Sequence, residues 1–158
     1  MVKKALLILK DIAQLFNPEF IIKKVIPVYV NLYKDRMSVK KDLAGSIVYL
    51  APVIGKINTT QYLIDVLKKL YEDNDSQVKI EIIKNILPLA QVLTLRVLLQ
   101  QILPMISQLL NDTDWSIRKK TLLVIGDLYM KLDESEKISS KLLIAISQKL
   151  KDKVFNIR

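Results

Sequence analysis

The 158-residue chain contains no cysteine and no histidine. Without cysteine there can be no disulfide framework and no thiolate metal site. Without histidine, the commonest general base and the commonest metal ligand are lost together. Most kinds of enzyme active site are thereby excluded or strained, and neither a cofactor nor a metal is expected. Glycine is scarce, at three residues, and turn pairs of the Asn-Gly type are few, which argues against an all-β fold. No stretch reaches the ~18 uncharged apolar residues of a membrane-spanning helix. The apolar start at residues 2–9 resembles a secretory leader, but Lys10 and Asp11 interrupt it and no small-residue cleavage site follows. The expected setting is the cytoplasm, with the nucleus also open and no membrane association.

What the chain does have is an apolar fraction of 51% and a two-residue signature that returns at nearly constant spacing. A β-branched apolar residue precedes a basic one at Val39-Lys40, Val78-Lys79, Ile117-Arg118 and Ile157-Arg158, in steps of 39, 39 and 40 residues. A further copy, Val2-Lys3, lies 37 residues before the first. A period near 40 residues built from helix pairs is the mark of a HEAT-type solenoid. The expected fold is all-α: a right-handed α-solenoid of antiparallel helix pairs, helix A outside and helix B lining the inner face. Residues 18–57, 58–94 and 95–133 read as repeats. Residues 1–17 read as a lone helix B and 134–158 as a truncated repeat, which suggests an interior piece of a longer protein.

In the third repeat, Val97, Leu98, Ile102, Met105, Ile106, Leu109 and Leu110 recur at three- and four-residue steps and form one apolar stripe. Asn111-Asp112-Thr113-Asp114 then breaks the pattern, and helix B resumes near Trp115. In the first repeat, helix A covers about residues 20–33 and helix B about 39–54, with Gly55 placed as a C-cap. Pro27 and Pro104 fall inside their A helices, 12 and 13 residues before the signature, and should kink them at a repeated place.

A second recurrence appears in the loops. Asp73, Asp112 and Asp152 each lie five residues before the apolar member of a signature. Each Asp is placed to cap helix B, while Lys79, Arg118 or Arg158 bridges to the Asp of a neighbouring repeat, giving a ladder of charge-assisted hydrogen bonds. The first repeat departs from this pattern, because Lys34 takes the Asp position and Asp35 is only four residues before Val39. Asp73 and Asp75 are better explained by capping than as a catalytic carboxylate pair.

Three stretches resemble the HEAT-repeat scaffold (A) subunits of protein phosphatase 2A and the related regulatory subunits of protein phosphatase 4. They are Leu50-Ala51-Pro52-Val53-Ile54-Gly55-Lys56, Asn111-Asp112-Thr113-Asp114-Trp115-Ser116-Ile117-Arg118 and Asp152-Lys153-Val154-Phe155-Asn156-Ile157-Arg158. The resemblance implies a scaffold whose loops between helix A and helix B grip the catalytic and regulatory subunits of a serine/threonine phosphatase. It places Trp115, Arg118, Phe155 and Arg158 at that ridge, supported by Asp112 and Asp152. Lys40, Lys79 and Lys119 join them as candidate partner-binding residues, because basic side chains gather where each helix B begins and oppose the helix dipole there.

The net charge of +9 invites a second reading, a basic solenoid that binds nucleic acid or the acidic surface of tubulin. The excess rests on 21 lysines against 4 arginines, spread over every repeat, whereas bidentate phosphate contacts favour arginine. A non-catalytic protein scaffold is the reading the sequence favours. An importin-type transport receptor would need many more repeats.

Overall fold

The computed structural model describes residues 2–72, 74–133, 142–149 and 151–152, and all secondary structure among them is helical. The chain divides into two compact units, Met1–Thr94 and Leu95–Arg158.

The first unit opens with α1, Val2–Ile12, and a 3-10 turn at Ala13–Leu15. Helix α2 follows in three segments, Pro18–Phe20, Ile21–Val25 and Ile26–Leu32. Its start is explained locally: Asn17 Oδ1 accepts the Phe20 N–H at 2.7 Å, and Pro18 takes the first position, where no N–H is needed. The stretch Met37–Asn58 is broken at Gly55, which sits at φ 75° and ψ 172°. That backbone is open to glycine and strained for any L side chain. Residues 37–54 are therefore α3. Residues 56–72 form α4, which continues through Thr59–Leu63 and Ile64–Glu72. Helix α5, Ser76–Val92, completes the unit.

Helix α3 packs against both α1 and α5. Leu43, Ile47 and Leu50 on α3 and Ile82 and Ile86 on α5 are fully buried. Each such side chain contributes roughly 1.5–3 kcal/mol of transfer free energy. Two polar contacts are embedded in this apolar packing. The Asn85 amide donates to the Ala44 carbonyl and ties α5 to α3. The Tyr29 hydroxyl donates to Ser46 Oγ at 2.8 Å, which donates in turn to the Leu43 carbonyl at 2.8 Å. Among the tyrosines, Tyr29 is buried, and the others are half-buried.

The second unit contains α6, in segments Leu95–Val97, Leu98–Ile102 and Leu103–Leu110, then α7, Trp115–Lys131, and α8, Leu142–Lys149. Helix α7 packs against α6 and α8. The apolar stripe of α6 is buried at Leu98, Ile102, Met105, Ile106, Leu109 and Leu110.

The A helices share a distortion that proline alone does not explain. A wide turn with an i→i+5 hydrogen bond recurs in α2, α4 and α6: Ile26 N–H to the Ile21 carbonyl, Ile64 N–H to Thr59, and Leu103 N–H to Leu98. Six residues after the first residue of each turn stand Pro27, Asp65 and Pro104. The turn thus forms at Asp65 without a proline, so proline is not required for it. One extra residue in the turn interrupts the regular ladder, and the repeat carries this distortion with either residue type. Pro52 and Pro88 lie inside helices near their C-terminal ends and are exposed.

A candidate protein-binding ridge

The loop between α6 and α7 is built by short side chains bonding their own backbone. Asn111 Nδ2 donates to the Ser107 carbonyl at 2.9 Å and ends α6. Asp112 Oδ1 accepts the Asp114 N–H at 2.9 Å, and Asp114 Oδ1 accepts the Ser116 N–H at 2.8 Å. In the first unit, Asp75 caps α5 by accepting the Gln77 and Val78 N–H groups at 2.8 and 3.0 Å. The cap therefore belongs to the aspartate three residues before the signature, not five. Asp112 closes the turn that presents the cap, and Asp73 lies outside the described residues. In the first repeat Arg36 occupies the capping position and gives no side-chain cap.

The signature residues divide cleanly. Val39, Val78 and Ile117 are all buried, with at most 1% of their surface exposed. Of their basic partners, Arg118 makes a bidentate pair with Asp152: Nε to Oδ2 at 2.9 Å and Nη2 to Oδ1 at 3.0 Å. Its remaining Nη1 donates to the Asp112 and Thr113 carbonyls at 2.9 and 3.1 Å. The two side chains keep only 14% and 6% of their surface exposed. The hydrogen bond to Asp152 is the main reason the guanidinium pKa is raised above its ordinary value, so Arg118 stays charged throughout the accessible range. Lys79 is buried to 7% exposure, bonds the Asn74 side chain and lies 5.9 Å from the Tyr71 ring centre. A lysine so enclosed orders its own loop.

Trp115 has a different surrounding. It opens α7 immediately after the cap and is 44% exposed. Lys40 and Lys119 are half-buried. Phe155 and Arg158 lie outside the described residues. Beside Trp115's loop, a polar cleft of about 320 Å³ is lined by Asn111, Asp112, Arg118, Lys149, Lys151 and Asp152, among others. Lys149 Nζ donates to Asn111 Oδ1 at 2.8 Å across it. Sequence reasoning did not single out Lys149 or Lys151; their signal was basic residues flanking the third Asp of the series.

Among the described residues, no three His, Cys, Asp or Glu side chains are grouped to hold a metal ion. No described helix is long and apolar enough to cross a membrane.

Residues 102–132 match the family model described as HEAT repeat. They span most of α6, the capped loop and α7, the pair that carries Trp115 and Arg118. The fold is thus all-α, made of packed helices and containing a HEAT repeat. HEAT-repeat proteins commonly act as protein-binding scaffolds. A search of curated proteins finds no match to the chain.

Proposed function

We propose that this chain is a non-catalytic protein–protein scaffold and that its partner is a subunit of a type 2A-class serine/threonine phosphatase. The observation that carries the scaffold reading is Trp115, an exposed aromatic held at the edge of a loop that Arg118, Asp112 and Asp152 make rigid. Aromatic side chains on ordered supports are the usual anchors of protein interfaces, because they bury much area and lose little conformational freedom. The HEAT match supports the scaffold class. The phosphatase class is supported by the likeness of the 50–56 and 111–118 stretches to that family's repeat ends and loops. In this reading the roles divide: Trp115, with Lys119 beside it, touches the partner, and Arg118 positions the loop from within.

Affinity capture from a cell extract with the full chain tests the proposal. A serine/threonine phosphatase subunit recovered by the unaltered chain and lost with Trp115→Ala, while the helical melt stays unchanged, is the expected result. Recovery that is indifferent to Trp115 sinks the ridge assignment. Recovery of nucleic acid or tubulin in place of a phosphatase sinks the partner assignment.

A further inference from the structure

The wide turns align α2, α4 and α6 residue by residue. Val25, Val28 and Leu32 of α2 correspond to Leu63, Val66 and Leu70 of α4. The three α4 residues are buried, Val66 to 2%, whereas Val28 is 52% exposed and Val25 and Leu32 are half-buried. Each of the two helices has a B helix before it and a B helix after it. What α4 has and α2 lacks, among the described residues, is an A helix on the preceding side. Helix α2 itself fills that place beside α4: Lys69 Nζ of α4 lies 5.2 Å from the ring centre of Tyr33, which ends α2. The open counterpart is a cavity of about 270 Å³ between α1 and α2, lined by Leu6, Leu9, Val25, Val28, Tyr29 and Leu32, among others. The packing of one repeat on the next thus specifies its occupant as an A helix.

One difference in the lining narrows the chemistry of that helix. Leu9 stands seven residues after its signature, where α3 has Ser46, and Ser46 accepts the hydroxyl of Tyr29 from the A helix packed on it. A tyrosine over Leu9 loses that bond, so the fitting helix carries an apolar side chain in the place of Tyr29. Helix α8 meets this requirement. The 40-residue step from Asp112 to Asp152 aligns it with α6, and the wide turn aligns α6 with α2. Ile146 then takes the place of Ile106 and Tyr29, and Leu143 that of Ile26 and Ile64. Leu142 is buried like its counterpart Ile102, which supports the register. Leu143 is nevertheless 55% exposed, while Ile26 and Ile64 are buried. Helix α8 therefore leaves open the side with which an A helix meets its B helix, and α1 is a B helix with the matching side open.

We propose that copies of this chain associate head to tail, α8 of one copy lying in the groove between α1 and α2 of the next. The two helices α8 and α1 then complete one helix pair across two copies. The inference does not rest on the scaffold reading, and either can fail alone. Lys24 is the charged residue among those lining the groove, and Lys149 is the charged residue of α8. Both are cations, so the contact is apolar and association holds or tightens as salt rises. Two different surfaces meet, so a pair still presents one of each and goes on adding copies.

Sedimentation of the full chain over a concentration series tests this. The unaltered chain should form species that grow with concentration. Val28→Lys blocks the groove and Leu143→Lys blocks the helix. Each alters an exposed side chain, so melting should stay unchanged while association weakens about tenfold or more. Each variant keeps one intact surface, so an equal mixture of the two should restore a complex limited to two copies. Ile144→Lys is the control: Ile144 is 58% exposed, but its counterparts Pro27, Asp65 and Pro104 are exposed as well, so association should be unaffected. A chain that stays monomeric throughout overturns the proposal. So does association that survives Val28→Lys or Leu143→Lys, that is lost with Ile144→Lys or with added salt, or that does not return when the two variants are mixed.

Discussion

Arg118 spends its guanidinium inside its own unit: two nitrogens on Asp152 and the third on two loop carbonyls. Because the pair is largely shielded from water, removing one member strands the other. Arg118→Ala is therefore expected to destabilise the second unit by roughly 2–4 kcal/mol, measured by denaturant unfolding. Arg118→Lys should recover only part of this, since an ammonium cannot bond two carboxylate oxygens and two carbonyls in one plane. Tyr29 makes a pH prediction. Burial pushes its hydroxyl up from 10.0 to about 12, against a smaller lowering by the Ser46 hydrogen bond. The folded chain thus holds Tyr29 neutral where the unfolded chain ionises it. Its contribution is complete below about pH 10 and is lost as pH rises towards 12, by roughly 2–3 kcal/mol. Comparing unfolding of the native chain with Tyr29→Phe across that window isolates the effect.

At the scale of the element, the wide turns of the A helices make a prediction that runs against ordinary helix rules. A proline inside a helix usually costs about 3 kcal/mol or more. Asp65 occupies the position that Pro27 and Pro104 hold after the other two wide turns, and it is exposed. Asp65→Pro should change stability by less than about 1 kcal/mol, while Lys69→Pro one turn later should cost the full penalty. Thermal melts of the two variants decide it, and equal losses would show the turn to be unable to absorb proline. The break at Gly55 and the caps at Asp75 and Asp114 follow the same logic, each placing a special residue where the backbone leaves helical geometry.

Across the whole molecule, a net charge of +9 leaves open whether binding is driven by field or by contact. The basic side chains the structure describes are partly committed: Arg118 bonds Asp152, Lys79 bonds Asn74, and Lys41 bonds Gln77 at 3.2 Å. Capture centred on Trp115 should therefore weaken less than about tenfold between 0.05 and 0.2 M salt, whereas binding through many phosphate contacts loses about 10³-fold or more. Capture assays along a salt series distinguish the two.

The all-α class was legible in the sequence, and so were the buried places of Val39, Val78 and Ile117, because burial of one helix face writes itself as local periodicity. The break at Gly55 was legible for a similar reason, since few residues stop a helix. Other features depend on atoms far apart in the chain and needed the tertiary structure. Spacing placed Arg118 to bridge to the aspartate of the next repeat, as it does to Asp152, but only the fold shows Lys79 buried beside Asn74 and Tyr71. The cap register differed from the spacing argument, because competing aspartates two residues apart are separated by backbone geometry, not by composition. Nothing in the repeat signature marks Leu123 and Met130, which are 61% and 76% exposed. Their exposure was decided by where α6 and α8 pack on α7, and that packing leaves the opposite face of the helix to water.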